Sequence, residues 1–177
     1  TRDLWSAGAH GHVGESVFAA DPDGTAEDDG WLLNAVFDSE REQTDVVVLD
    51  ARDLSLVKLI PVADKDGKTS RVSAVYDAAP RKSFVAALKD IPEVWELTYD
   101  PKAPPVYEGY VHDYRHGEGV AAQGPFPVRR ILLDDVLDDF FFDQKYDHLI
   151  GASREAGKGQ VVNLNVRRKI ATVDLPG

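Results

Sequence analysis

Residues 137–165, LDDFFFDQKYDHLIGASREAGKGQVVNLN, fall into short apolar runs separated by turn chemistry. Leu137–Phe142 is the first run and Asp143–Asp147 a polar turn. His148–Ala152 is the second run, Arg154–Gly159 a charged, glycine-bearing loop, and Gln160–Leu164 the third run. Arg168–Leu175 (RKIATVDL) alternates as a fourth. Four such strands joined by tight turns make one antiparallel meander, the sheet of a β-propeller blade.

The rest of the chain reads as further copies of this unit. Residues 1–14 are glycine-rich and aperiodic, and read as loop. Glu15–Ala20, Trp31–Phe37, Thr44–Asp50 and Leu56–Val62 give four strands, with the acidic turn-rich loop Asp21–Gly30 between the first two. After the Asp-Gly turn in Ala63–Thr69 come Ser70–Tyr76, Ser83–Leu88 and Glu93–Tyr99. The outer strand of that unit is either Val106–Tyr110 or Phe126–Leu133. Asp134–Asp139 offers at most a turn of helix. The predicted fold is all-β: a β-propeller segment of about three four-stranded antiparallel blades, at 15–62, 70–133 and 137–175. Glu15–Ala20, Arg71–Tyr76 and Leu137–Phe142 open their units and are the expected inner strands. The 177 residues suit a single propeller-type domain.

Charge separates two parts of that domain. Residues 1–54 hold three basic against thirteen acidic residues, whereas 55–177 hold seventeen against eighteen. Such a shift suggests segments of different origin meeting near Leu54–Lys58. The net charge of −11 argues against nucleic acid as a partner, since phosphates call for clustered Lys and Arg. No apolar run approaches the ~20 residues of a membrane-spanning helix. Cys and Met are absent, so cysteine chemistry is excluded, and a chain starting at Thr1 reads as processed, trimmed or partial.

Two families are resembled. Residues 14–54, GESVFAADPDGTAEDDGWLLNAVFDSEREQTDVVVLDARDL, look like a blade of the carotenoid cleavage oxygenases. Residues 58–177 resemble the haem d1-type propeller of cytochrome nitrite reductases and related haem d1 proteins, through DKDGKTSRVSAVYDA, FVAALKDIPEVWEL, LDDFFFDQKYDHLIGASR and GQVVNLNVRRKIATVDLPG. The first resemblance implies ferrous iron held by four His from separate strands, including a Phe-His-Gly motif. The second implies haem d1 and a Pro-His motif beyond Asp-Leu-Pro-Gly. Neither histidine motif is present. The two resemblances together imply an engineered or chimeric scaffold without catalytic activity or cofactor. The alternatives are a haem d1-binding protein of denitrification, periplasmic if natural, and a non-haem iron carotenoid or stilbene oxygenase holding Fe(II).

Candidate chemistry is sparse. Iron needs several His converging from different strands. His10, His12, His112, His116 and His148 are the five available, and surface histidines are their default reading. The haem d1 resemblance makes Arg71 the cofactor-binding candidate, because a guanidinium fork can grip a haem carboxylate at two points. A solvated strand-end arginine is the competing reading. Asp21–Asp29 lacks calcium-loop spacing and reads as a solvated turn. Trp31 and Trp95 belong to the core. Val47, Leu49 and Leu56 are expected to pack on residues such as Val75 and Val85. Three blades do not easily close a ring, so the partner expected is a second copy forming a six-bladed dimer, with a monomer sealed by Val111–Leu133 as the rival.

Overall fold

The computed structural model describes residues 4–108, 120–121 and 124–175. Three antiparallel sheets stand side by side, each a meander. In the first, β1 (Gly11–Val13) and β2 (Val17–Ala20) share one edge of β3 (Gly30–Asp38), followed by β4 (Gln43–Asp50) and β5 (Leu56–Pro61). The second contains β6 (Val72–Ala78), β7 (Ser83–Leu88), β8 (Glu93–Thr98) and β11 (Val128–Leu132). The excursion between β8 and β11 carries a small ribbon of β9 (Tyr107–Glu108) and β10 (Val120–Ala121). The third sheet is β12 (Asp139–Phe142), β13 (His148–Ser153), β14 (Lys158–Asn163) and β15 (Arg168–Asp174). β6 touches both β2 and β12, so the opening strands of the three sheets line up along one inner edge, as in propeller blades.

Packing explains the sequence pattern. SFVAAL in β7 is buried along its whole length because both of its faces are covered. Phe84, Ala86 and Leu88 pack with Leu33, Val46 and Val48 of the first sheet. Val85 and Ala87, on the opposite face, pack with Phe140, Leu149 and Val162 of the third. The third sheet has one free face, and its second strand alternates accordingly between buried and half-buried positions. The connection into it is pinned by the buried Gln160. Its amide donates to the Asp135 carbonyl at 2.8 Å, and its Oε1 accepts from the Asp134 N–H at 3.1 Å.

Several expectations need correction. Gly11–Val13 is a strand rather than loop, because β3 is nine residues long and β2 pairs with only part of it. Asp134–Asp139 forms no helical turn but bends into β12, tied at Asp134 and Asp135 by Gln160. The only helical turn among the described residues is the 3-10 turn Ala79–Arg81. The outer strand of the second sheet is Val128–Leu132, not the earlier run. Val47 and Leu49 do not meet Val75 or Val85. They face outward with Val36, covered by Trp5 and Ala7, while Leu56 is 54% exposed. The strand alternation puts Val46 and Val48 on the inter-sheet side instead. Both sides of the supposed junction at 54–58 lie in one sheet, with Val46 opposite Ile60.

Candidate functional site

The inner edge is where three sheets bring side chains together. From β2 and β6 it presents the half-exposed rings of Phe18 and Tyr76. Tyr76 donates its hydroxyl to Asp139 Oδ1 at 2.8 Å, joining the inner strands of the second and third sheets. Its ring meets Phe140 edge-on, with centroids 5.0 Å apart. The bond to the Asp139 carboxylate holds the Tyr76 phenol above its ordinary pKa. Ser73 adds a second tie, donating to the Leu137 carbonyl at 2.6 Å. At the far end of β6, Tyr99 donates to Asp77 Oδ1 at 2.8 Å. Burial is the main cause that raises both of these pKa values.

Arg71 sits just before β6, and its fork is already engaged. Nη2 meets Asp90 Oδ1 at 2.7 Å, while Nε and the backbone N–H meet Oδ2 at 3.0 and 2.9 Å. The Arg71 hydrogen bond pulls the Asp90 carboxyl down to a pKa of about 2. The guanidinium is turned back onto its own sheet.

Among the described residues the histidines do not converge. His10 lies 3.8 Å from Glu40, and His12 stacks on Phe37 with centroids 6.5 Å apart. His148 has both ring nitrogens engaged, Nδ1 with Asp143 Oδ2 at 3.0 Å and Nε2 with the Asn163 amide at 3.3 Å. His112 and His116 lie outside the described residues. Among the described residues no group of three or more His, Asp or Glu is placed to hold a metal ion. In the acidic loop, the Asp29 carboxylate accepts the Thr25 and Ala26 backbone N–H groups at 2.7 and 2.8 Å, so the turn is stitched by its own backbone.

A trough of about 820 Å³ runs over the free face of the third sheet, lined by Phe141, Ile150, Val161 and Val173, with Arg154 and Asp139 among its polar groups. It extends from that sheet face to the inner edge, where Tyr76, Asp77 and Asp139 line it as well. Sequence reasoning missed the Tyr76–Asp139 and Asp77–Tyr99 bonds. Both join residues that are distant in sequence, 63 and 22 positions apart, and carry no local signal.

The cytochrome D1 heme domain model matches residues 18–176. Dihydro-heme d1 dehydrogenase of Pseudomonas aeruginosa is 44% identical over 132 residues, which are 75% of this chain and 22% of that protein. The chain therefore spans about a fifth of that relative's length. The solved structure of dihydro-heme d1 dehydrogenase NirN in complex with DHE is similar with a TM-score of 0.66 and 39% identity. The likeness covers 90% of this chain and 28% of that one. The complex of KlAtg21 with the coiled-coil of AgAtg16 is similar at 12% identity and a TM-score of 0.54, which speaks for the fold alone. Apocarotenoid-15,15'-oxygenase of Synechocystis is 42% identical over only 55 residues, 31% of this chain and 11% of that protein. One family model thus runs unbroken across the charge shift at 54–58. That overturns the expectation of an engineered scaffold assembled from two families.

Proposed function

Because the chain belongs to the cytochrome D1 heme domain family, we propose that it forms part of a propeller that binds a d1-type haem. The match over residues 18–176 carries this reading, in place of the cofactor-free scaffold expected from the sequence. The described residues suit the rim and face of such a group. Phe18 and Tyr76 offer flat apolar surface beside the Asp139 acceptor, and Arg71 supplies a cation at the end of the same strand. Among the described residues no group of three or more His, Asp or Glu gathers to hold a metal ion by itself. A bound d1 haem would supply the redox chemistry. The part of these residues is to bind and orient it. Arg71 grips a haem carboxylate in this reading by giving up, or sharing, its bond to Asp90.

The relative's name indicates dehydrogenation of dihydro-haem d1 as the activity of the longer assembly, and a periplasmic place in denitrification goes with it. The test is a titration of dihydro-haem d1 into the protein, followed by absorption spectroscopy and by quenching of tryptophan fluorescence. The expected result is a saturable spectral shift with parallel quenching. A spectrum that stays that of the free haem at every ratio rejects the reading.

A further inference from the structure

A second groove, of about 330 Å³, opens between the second and third sheets, at the end where β6 and β12 finish. Its chemistry is unlike the rest of this acidic chain. Arg81, Lys102, Arg129, Lys145 and Arg167 line it, against Glu96, Asp100 and Asp147. A local excess of two positive charges therefore stands in a protein of net charge −11.

The groove's acids are already committed. Glu96 is buried and takes Arg81 Nε on Oε1 at 3.0 Å and Arg167 Nε on Oε2 at 3.4 Å. Asp100 lies 3.7 Å from Lys82, and Asp147 accepts from the Asn165 amide at 2.8 Å. Arg81 is saturated as well, donating also to the Tyr146 and Leu164 carbonyls and to Asn165 Oδ1. The remaining cations are not. Arg129 stands directly opposite Glu96 in the β8–β11 register, so the two side chains share a face. Yet among the described residues its guanidinium donates only to the Pro104 carbonyl. Burial, together with Arg167 and Arg81 nearby, lowers its pKa. The Lys102 and Lys145 side chains line the groove too, Lys102 giving only its backbone N–H to Asp100 Oδ1, at 3.0 Å. Three guanidiniums around the single buried carboxylate of Glu96 leave an excess of positive charge that a bound anion would offset.

We propose that this groove is a binding site for a phosphate-type oxyanion, held between Arg129 and Arg167 with Lys145 and Lys102 at its rim. Guanidiniums arriving from two sheets suit a ligand with three or four acceptor oxygens better than a carboxylate with two. The site stands apart from the inner edge and does not depend on any haem.

The test is calorimetry and thermal unfolding of the full chain with inorganic phosphate. Acetate and chloride at matched, low ionic strength serve as controls, since salt screens such sites. Phosphate is expected to bind saturably and raise the melting temperature, with neither control doing so. Arg129→Gln should weaken phosphate binding about tenfold or more, as expected for loss of a charge-assisted hydrogen bond. Lys145→Ala, an exposed change with no bearing on folding, should weaken it several-fold. Arg71→Gln, outside the groove, should leave it intact. A phosphate effect no larger than that of chloride overturns the proposal. So does equal binding of acetate, or unchanged affinity in both groove variants.

Discussion

The Arg71–Asp90 pair makes a pH prediction with a definite sign. The Asp90 pKa is depressed in the folded protein, to about 2, chiefly by the Arg71 hydrogen bond. A carboxyl whose folded pKa lies below its unfolded value of about 3.9 adds stability above that value and loses it as pH falls towards 2. Both side chains are partly exposed, so the effect is a small one. Acid titration of the fold by circular dichroism should show Arg71→Gln converging with the unmodified protein between about pH 4 and pH 2. A stability gap that persists undiminished to pH 2 would mean that Arg71 acts by packing instead. The same pair tests the haem reading. Asp90→Asn frees the fork and should tighten dihydro-haem d1 binding, whereas Arg71→Ala should weaken it. If both variants titrate like the unmodified protein, Arg71 has no part in the site.

At the scale of strands, the inter-sheet faces carry the stability. Leu33→Ala opens a cavity between the first and second sheets and should cost about 2–5 kcal/mol in chemical denaturation. Leu56→Ala, on a side chain more exposed than buried, should stay within about 0.5 kcal/mol. Gly151 is a tighter case. A Cβ there would meet Leu137 Cδ1 at 2.5 Å and the Asp139 carbonyl at 3.1 Å, so Gly151→Ala should cost about 1–3 kcal/mol through overpacking. These contrasts also show what the sequence could and could not convey. The meander of 137–175 was legible because each strand is bounded by Asp, Gly or Asn turns that hydrogen-bond locally, as Asp143 does to the Asp147 and His148 N–H groups. The facing of Val46 and Val48 was not legible. β4 is buried on both sides, so its apolar run has no alternation from which to read direction. The short strand Gly11–Val13 escaped notice because its pairing is set by the length of β3, not by its own composition. The Tyr76–Asp139 bond was hidden for the same kind of reason: it depends on how two sheets stand against one another.

At the scale of the whole molecule, the two end faces are unequal, and this bears on how copies of the chain could pair. The outward side of the first sheet buries Val36, Val47 and Leu49 beneath Trp5 and Ala7. The outward side of the third sheet leaves Phe141 62% and Val173 55% exposed over the trough. The head-to-tail six-bladed ring expected from the sequence would bring these two unlike faces together. Of the segment expected to seal a monomer, Val128–Leu132 forms β11, and 111–119 and 122–123 lie outside the described residues. In the 177 residues taken by themselves, an exposed apolar sheet face of this kind favours association, and a twofold pairing of two third-sheet faces would bury it without disturbing Trp5. The charge of −11 opposes that contact, but moderate salt confines the repulsion to within about 10 Å. Light scattering after size exclusion at moderate salt should therefore give a two-chain mass for the 177-residue protein. Phe141→Asp should reduce it to one chain, and Trp5→Ala should leave the dimer unchanged. If Trp5→Ala shifts the mass and Phe141→Asp does not, the first sheet makes the contact. A one-chain mass at all concentrations would mean that the third face stays open in solution.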